Sequence, residues 1–259
     1  MTIAILSALP EEQHGLAQAM SQRHTVPHAG RQFETGTLYG QRVVLALSGI
    51  GKVAAATTTT ALIERFGARC LLFTGVAGGM GAGVQVGDVV VASHFLQHDM
   101  DARPLFPRWQ VPGYTAPTFA CDATLTQSLR DAAQDCVQAA TNWQEPLLAA
   151  QQPRAHCGLI ASGDQFIVSA LTSSTIRHDL AISGYHALAV EMEGAAIAQT
   201  CADYGIPFAA VRTISDRADD NAHVDFPAFV SAVASRYAQH MVCHWLQAKE
   251  GGHSPSVPQ

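Results

Sequence analysis

The stretch that decides the reading is residues 190–220. It opens with Val190-Glu191-Met192-Glu193-Gly194-Ala195-Ala196 and ends with Val211-Arg212-Thr213-Ile214-Ser215-Asp216-Arg217-Ala218-Asp219. Ile197 to Tyr204 between them is Ala-rich with apolar residues at helical spacing. Gly205-Ile206-Pro207 stops that helix, a glycine at its C-terminus with proline soon after. Phe208 to Ile214 is apolar and short enough for a buried strand. Glu193 therefore enters a helix and Asp216 leaves a strand, where open α/β sheets form their ligand crevices. Alone, each acid reads as a dipole complement or a helix cap. Together, at corresponding ends of two elements, they point to a site.

The alternation of strand and helix patterns extends outward from this stretch. Ile3 to Ala8 is an apolar run, and Pro10-Glu11-Glu12 opens a helix reaching Met20, with proline and acids where a first turn accepts them. Phe33 to Leu38 and Gln41 to Ser48 read as strands, Val53 to Phe66 as a helix, and Arg69 to Thr74 as a buried strand. A glycine-rich run, Gly75 to Gly83, follows and reads as a loop. Val86-Gly87-Asp88 leads into another strand, running to Ala92 and on through Phe95. Thr124 to Ala140 has amphipathic helical spacing, and 142–153 reads as a surface connection. His156 to Ser162 and Ala187 to Val190 read as strands, and Leu171 to Leu180 and Phe226 to Ala248 as helices. The pattern predicts a three-layer α/β/α fold around a central twisted, mostly parallel (mixed) sheet. Residues 1–248 form one domain in this reading, and 249–259 a disordered Gly/Pro/Ser tail.

Composition narrows the function. With 48% hydrophobic and 14% charged residues, a chain of 259 residues can bury a large core. A net charge of -6 excludes a basic footprint for nucleic acid or an anionic membrane. No apolar run is long enough to span a bilayer, and no signal peptide is seen. Six scattered cysteines without a C-x-x-C pair indicate reduced, buried thiols and a cytoplasmic location.

Several motifs do not hold. Gly49-Ile50-Gly51-Lys52 lacks the earlier glycine of a P-loop, and Val53 stands where Ser or Thr is required. The glycines from 75 to 83 match no dinucleotide fingerprint. His240 and His244 have metal-ligand spacing but no glutamate partner, and His98-Asp99-Met100-Asp101 reads as a solvated loop. Ser162-Gly163-Asp164 lacks a nucleophile elbow. No metal or cofactor is expected. Residues 98–122, rich in proline and aromatics, are too long for an ordinary connection and read as a functional loop.

Four pieces stand in one order along the chain: Thr74-Gly75-Val76-Ala77-Gly78-Gly79, Ser162-Gly163-Asp164-Gln165-Phe166-Ile167, Val190-Glu191-Met192-Glu193 and Ile214-Ser215-Asp216-Arg217-Ala218-Asp219. The set resembles the nucleoside phosphorylase/nucleosidase superfamily and, within it, the 5′-methylthioadenosine/S-adenosylhomocysteine nucleosidases. Pro10-Glu11-Glu12 and Gly49 to Val53 add to the likeness, which runs from about Met1 to Leu246. The resemblance implies hydrolysis of the N-glycosidic bond of adenine thioribosides. It assigns Asp216, oriented by Ser215, to protonate adenine N7, and Glu193, with Met192, to the ribose. Glu12 is implied as general base for water, with Arg212 nearby. Phe166 would stack on adenine, and the Ile167 backbone would meet its edge. Val76 and Gly78 would line the site, and Leu9, Ile50, Phe106 and Phe226 the apolar 5′ pocket, completed by the second subunit of a homodimer. Two departures stand out: residues 102–109 leave the family pattern, and Val76 replaces a serine. Rival readings are an aminodeoxyfutalosine or other adenosine-type nucleosidase, a phosphorylase, and a non-catalytic purine-binding protein.

Overall fold

The computed structural model describes residues 1–143 and 152–250. In chain order the first half holds β1 (Thr2–Ser7), α1 (Pro10–Ala19), β2 (Ser21–His28), β3 (Arg31–Leu38), β4 (Gln41–Leu47), α2 (Lys52–Glu64), β5 (Ala68–Gly79) and β6 (Val89–Gln97). The second half holds β7 (Thr118–Ala120), α3 (Ala123–Ala140), β8 (Ala155–Ser162), α4 (Ala170–Ile182), β9 (Ala187–Glu191), α5 (Gly194–Tyr204), β10 (Phe208–Asp216), α6 (Ala222–Phe229) and α7 (Ser235–Glu250). Most of the expected surface connection, residues 144–151, and the expected tail beyond 250 lie outside the described residues.

Among the described residues ten strands join one mixed sheet. β5 pairs in parallel with β1 and with β10, and antiparallel with β9 at Gly78 and Gly79. β10 pairs antiparallel with β6, which runs parallel to β8, and β8 runs parallel to β9. The strands β10, β6, β8, β9 and β5 thus close into a ring, and β1, β4, β3 and β2 extend from β5 as an open arm. Helices cover both faces. α1, α3 and α7 bury Leu16, Leu129, Val137, Tyr237, Met241 and Trp245 on one side. α2 and α5 bury Ala55, Leu62, Ala195 and Ile197 against Phe73 and Phe95 on the other.

Several local readings hold. Gly205 ends α5 with φ 62°, the left-handed cap expected of it, and Ile206 N donates to Cys201 O at 2.9 Å. Other readings need correction. Gly75 to Gly79 is not a loop: β5 continues through it, paired with β10. The strand β2 had no sequence signal, because nearly all its side chains face solvent. The last helix is not continuous. A π-helical turn at Val230–Ala234 follows Pro227, which has no N–H for the α ladder. The thiols are not all buried either: none of the six is in a disulfide, and Cys157 is exposed.

Candidate active site

A cavity of about 340 Å³ opens at the C-terminal ends of β1, β5, β9 and β10. It is lined by apolar side chains, among them Leu9, Ile50, Val76, Met192, Phe166 and Phe226, and by the carboxylates Glu12, Glu191, Glu193 and Asp216. All four acids are buried. A buried carboxylate requires partners, and each has them.

Glu12 stands one turn into α1. Its Oε2 accepts from Ala8 N at 2.9 Å and Leu9 N at 2.8 Å, and its Oε1 accepts from Val76 N at 2.9 Å. Burial pushes its pKa up, while the Arg212 charge and the three backbone donors pull the other way. Asp216 ends β10. Its Oδ2 accepts from Ser215 Oγ at 2.8 Å and its Oδ1 from Ala218 N at 2.8 Å. Glu193 begins α5 without capping it. Its Oε1 accepts from Gly51 N at 2.8 Å, and its Oε2 lies 3.6 Å from Arg212 Nη2. Burial, reinforced by the neighbouring Glu191 charge, raises its pKa to about 7.

β5 explains its glycines here. A Cβ at Gly75 would stand 2.5 Å from Glu12 Oε1 and closer still to Arg212 Nη1. A Cβ at Gly78 would lie 2.9 Å from Asp216 Oδ1. The glycine run therefore lets two acids close onto one strand from either side, rather than cradling a phosphate. Glu12 holds Val76 and Asp216 sits beside Gly78, so the two contacts are about 7 Å apart along β5 at the usual strand rise.

Glu191 is the residue to which the sequence reading gave no role. It accepts from Gly194 N at 2.9 Å, Glu193 N at 3.2 Å, Arg212 Nη2 at 2.5 Å and Ser162 Oγ. Arg212 is 1% exposed and lies 3.6 Å over the Phe73 ring. Breaking such a buried pair typically costs about 3–5 kcal/mol. A charged residue inside each of two apolar strands, Glu191 in β9 and Arg212 in β10, was the signal, since such groups are rarely buried unpaired.

The other sequence-selected residues fall as follows. Leu9, Ile50, Val76, Gly78, Phe166, Met192, Ser215 and Phe226 line the cavity, with Phe166 and Phe226 edge to face at 5.4 Å. Ile167 lines a narrow extension beside Gly78, Val190 and Ala218. Arg212 lies behind the wall, bonded to Glu191. Phe106 does not line the cavity, and Trp109 of the same segment packs with Leu180 and Tyr185. Among the described residues no cluster of three or more His, Cys, Asp or Glu side chains suits a metal ion, and no helix is long and apolar enough to cross a membrane.

The sequence profile of the phosphorylase superfamily matches residues 2–247. The chain belongs to the phosphorylase superfamily. Within that superfamily it groups with the 5′-methylthioadenosine/S-adenosylhomocysteine nucleosidases. It is 38% identical over 237 residues to the nucleosidase of that name from Chromohalobacter salexigens, covering 91% of this chain and 93% of the relative. The crystal structure of the Neisseria meningitidis nucleosidase in complex with methylthio-immucillin-A superposes with a TM-score of 0.84 at 35% identity, covering 95% and 99% of the two chains. The futalosine hydrolase of Helicobacter pylori superposes with a TM-score of 0.80 at 30% identity, covering 94% and 97%.

Proposed function

We propose that this protein hydrolyses the N-glycosidic bond of 5′-methylthioadenosine and S-adenosylhomocysteine, releasing adenine and the thioribose. The observation that carries the reading is that Glu12, Glu193 and Asp216, from three separate elements, line one apolar cavity. Breaking the bond needs a proton on the leaving adenine, and Asp216 at the β10 end is the acid for N7. Hydrogen bonds donated by Ser215 Oγ and Ala218 N hold the carboxyl in one orientation. The ribosyl group becomes cationic as the bond breaks, and Glu193 on its hydroxyls strengthens those contacts in the transition state.

Glu12 activates water at the far end of the cavity. Arg212 Nη1, which makes no hydrogen bond among the described residues, stands beside it over Gly75. Separated acid and base suit attack by water on the face opposite the leaving group, as in inverting glycosidases. A phosphorylase would need cations facing the sugar. Among the described residues no Lys or Arg lines the cavity, and Arg212 is engaged by Glu191.

The working form is a homodimer in the cytoplasm. Ile50, at the cavity mouth, is 59% exposed, and Val53, Leu105, Val168 and Leu171 are exposed as well. Phe106 reaches a 5′ pocket in this reading only from the partner subunit. Incubating the protein with methylthioadenosine, S-adenosylhomocysteine and aminodeoxyfutalosine, with and without phosphate, tests the reading. Free adenine and a free reducing sugar at a phosphate-independent rate are expected. A sugar phosphate product, or turnover of the futalosine compound alone, would replace it.

A further inference from the structure

Outside the cavity, three charged residues make a closed circuit. Lys52 Nζ donates to Asp99 Oδ1 at 2.6 Å, and Asp99 Oδ2 accepts from Asp164 N at 2.9 Å. Asp164 Oδ1 in turn accepts from Lys52 N at 2.7 Å. A second arm runs from Lys52 Nζ to Gln97 Oε1 at 2.9 Å, and Gln97 donates to Gln199 on α5 at 2.9 Å. None of the three charged residues lines the cavity, so their worth lies in what they hold.

What they hold is the peptide between Gly51 and Lys52. The segment entering α2 has two residues in the left-handed region, Gly49 at φ 75° and Gly51 at φ 98°, and between them Ile50 is largely exposed. Glycine orders such a turn only at an entropic cost. Gly51 itself supplies no side-chain cap to α2, and Asp164 acts as that cap from another loop. The Asp164 loop is anchored at the core. Ser162 Oγ bonds Glu191 and accepts from Ala195 N at 2.8 Å, while Gly163 N donates to Glu191 O at 3.1 Å. The Gly51 N–H is the backbone donor that meets Glu193 Oε1.

We propose that Lys52, Asp99 and Asp164 are positioning residues that hold the Gly51–Lys52 peptide, and through the Gly51 backbone the preceding peptide, so that Gly51 N–H fixes the Glu193 carboxylate on the ribose. The proposal rests on the role of Glu193 given above. Glu193 is faced by Glu191, Glu12 and Arg212, none of which the circuit touches directly. The circuit reaches Glu193 most directly through Gly51, and the Asp164 loop meets Glu191 only through Ser162 and Gly163.

Asp164→Ala removes the cap, whereas Asp164→Asn keeps an oxygen for Lys52 N. Asp164→Ala is expected to lower kcat/KM for methylthioadenosine about tenfold or more, in line with the sensitivity of rate to misplaced groups. It is also expected to shift the acid limb of the pH profile upward by about half a unit to one unit, as Glu193 loses a donor to its charged form. Asp164→Asn should stay near wild type, and Lys52→Met, opening the circuit from its other side, should reproduce the shift if the alanine variant folds poorly. In a Glu193→Gln background the further loss from Asp164→Ala should nearly vanish. An unmoved acid limb, an equally impaired Asp164→Asn, or the same loss in both backgrounds would overturn the proposal. Full activity of Glu193→Gln alone would instead overturn the role of Glu193. An impaired Glu193→Gln beside an unimpaired Asp164→Ala would overturn the clamp alone.

Discussion

Gly75→Ala adds one methyl group where Glu12 and Arg212 converge. The new Cβ would stand 2.5 Å from Glu12 Oε1 and closer to Arg212 Nη1, and both side chains are buried. Ordinary contact needs about 3.5 Å, so each group must retreat by roughly 1 Å. Glu12 can move only by stretching its bonds to Ala8, Leu9 and Val76, and Arg212 only by loosening its bond to Glu191. Overpacking of this kind costs about 1–3 kcal/mol. At about 2–4 °C per kcal/mol for a chain of this size, Tm should fall by about 2–12 °C, leaving a folded protein. A misplacement of about 1 Å in a reacting group costs on the order of a hundredfold in rate. The assay is adenine release from methylthioadenosine at limiting substrate, beside a thermal melt of the same preparation. A folded Gly75→Ala protein with wild-type kcat/KM would refute the placement of the water-activating pair over this strand.

Asp216→Asn keeps the shape of the carboxyl but removes the proposed proton donor, and kcat for methylthioadenosine should drop about a hundredfold or more; a folded variant near wild-type turnover would remove Asp216 from the chemistry. If ionised Glu193 is the productive form, kcat/KM should fall as pH drops through about 7, because burial and then the Glu191 charge raise that pKa. The same group works against stability in the other direction. The folded protein holds its proton from the ordinary carboxylate range up to about 7, so this contribution to stability falls as pH rises across that window, and Glu193→Gln should flatten both the melt-versus-pH slope and the acid limb. Phe106→Ala should lower kcat/KM for methylthioadenosine far more than for adenosine, since a partner subunit would present this ring to the 5′ group; equal losses would make the loop structural.

The legible and illegible parts of the molecule differ in physical kind. Phe208 to Ile214 and Ile3 to Ala8 are buried on both faces, so continuous apolar runs announced them, and Gly205 marked a helix end because only a left-handed residue fits there. The strand β2 buries almost nothing, so its partner β3, not its own side chains, makes it a strand. Gly75 to Gly79 reads locally as a turn, whereas its glycines are required by Glu12, Arg212 and Asp216, which arrive from distant parts of the chain. The acids themselves were visible as carboxylates at element ends. The Glu191–Arg212 pair needed the register of β9 and β10 around the ring, which no local pattern carries.

The closed ring of strands has a consequence for synthesis of the chain. β10 is the last strand to emerge, yet it sits between β5 and β6, pairing Phe208 with Leu71 and Thr213 with Val89. Until it arrives, the edges of two apolar strands stay open, and the contacts that seal them span about half the sequence. Such non-local closure is slow, and open strand edges invite pairing with other chains. A ribosome that stops before Phe208 therefore releases a sticky fragment rather than a weakened enzyme. Asp216 travels on the sealing strand itself, so the acid proposed for the leaving base enters the cavity only when the barrel shuts.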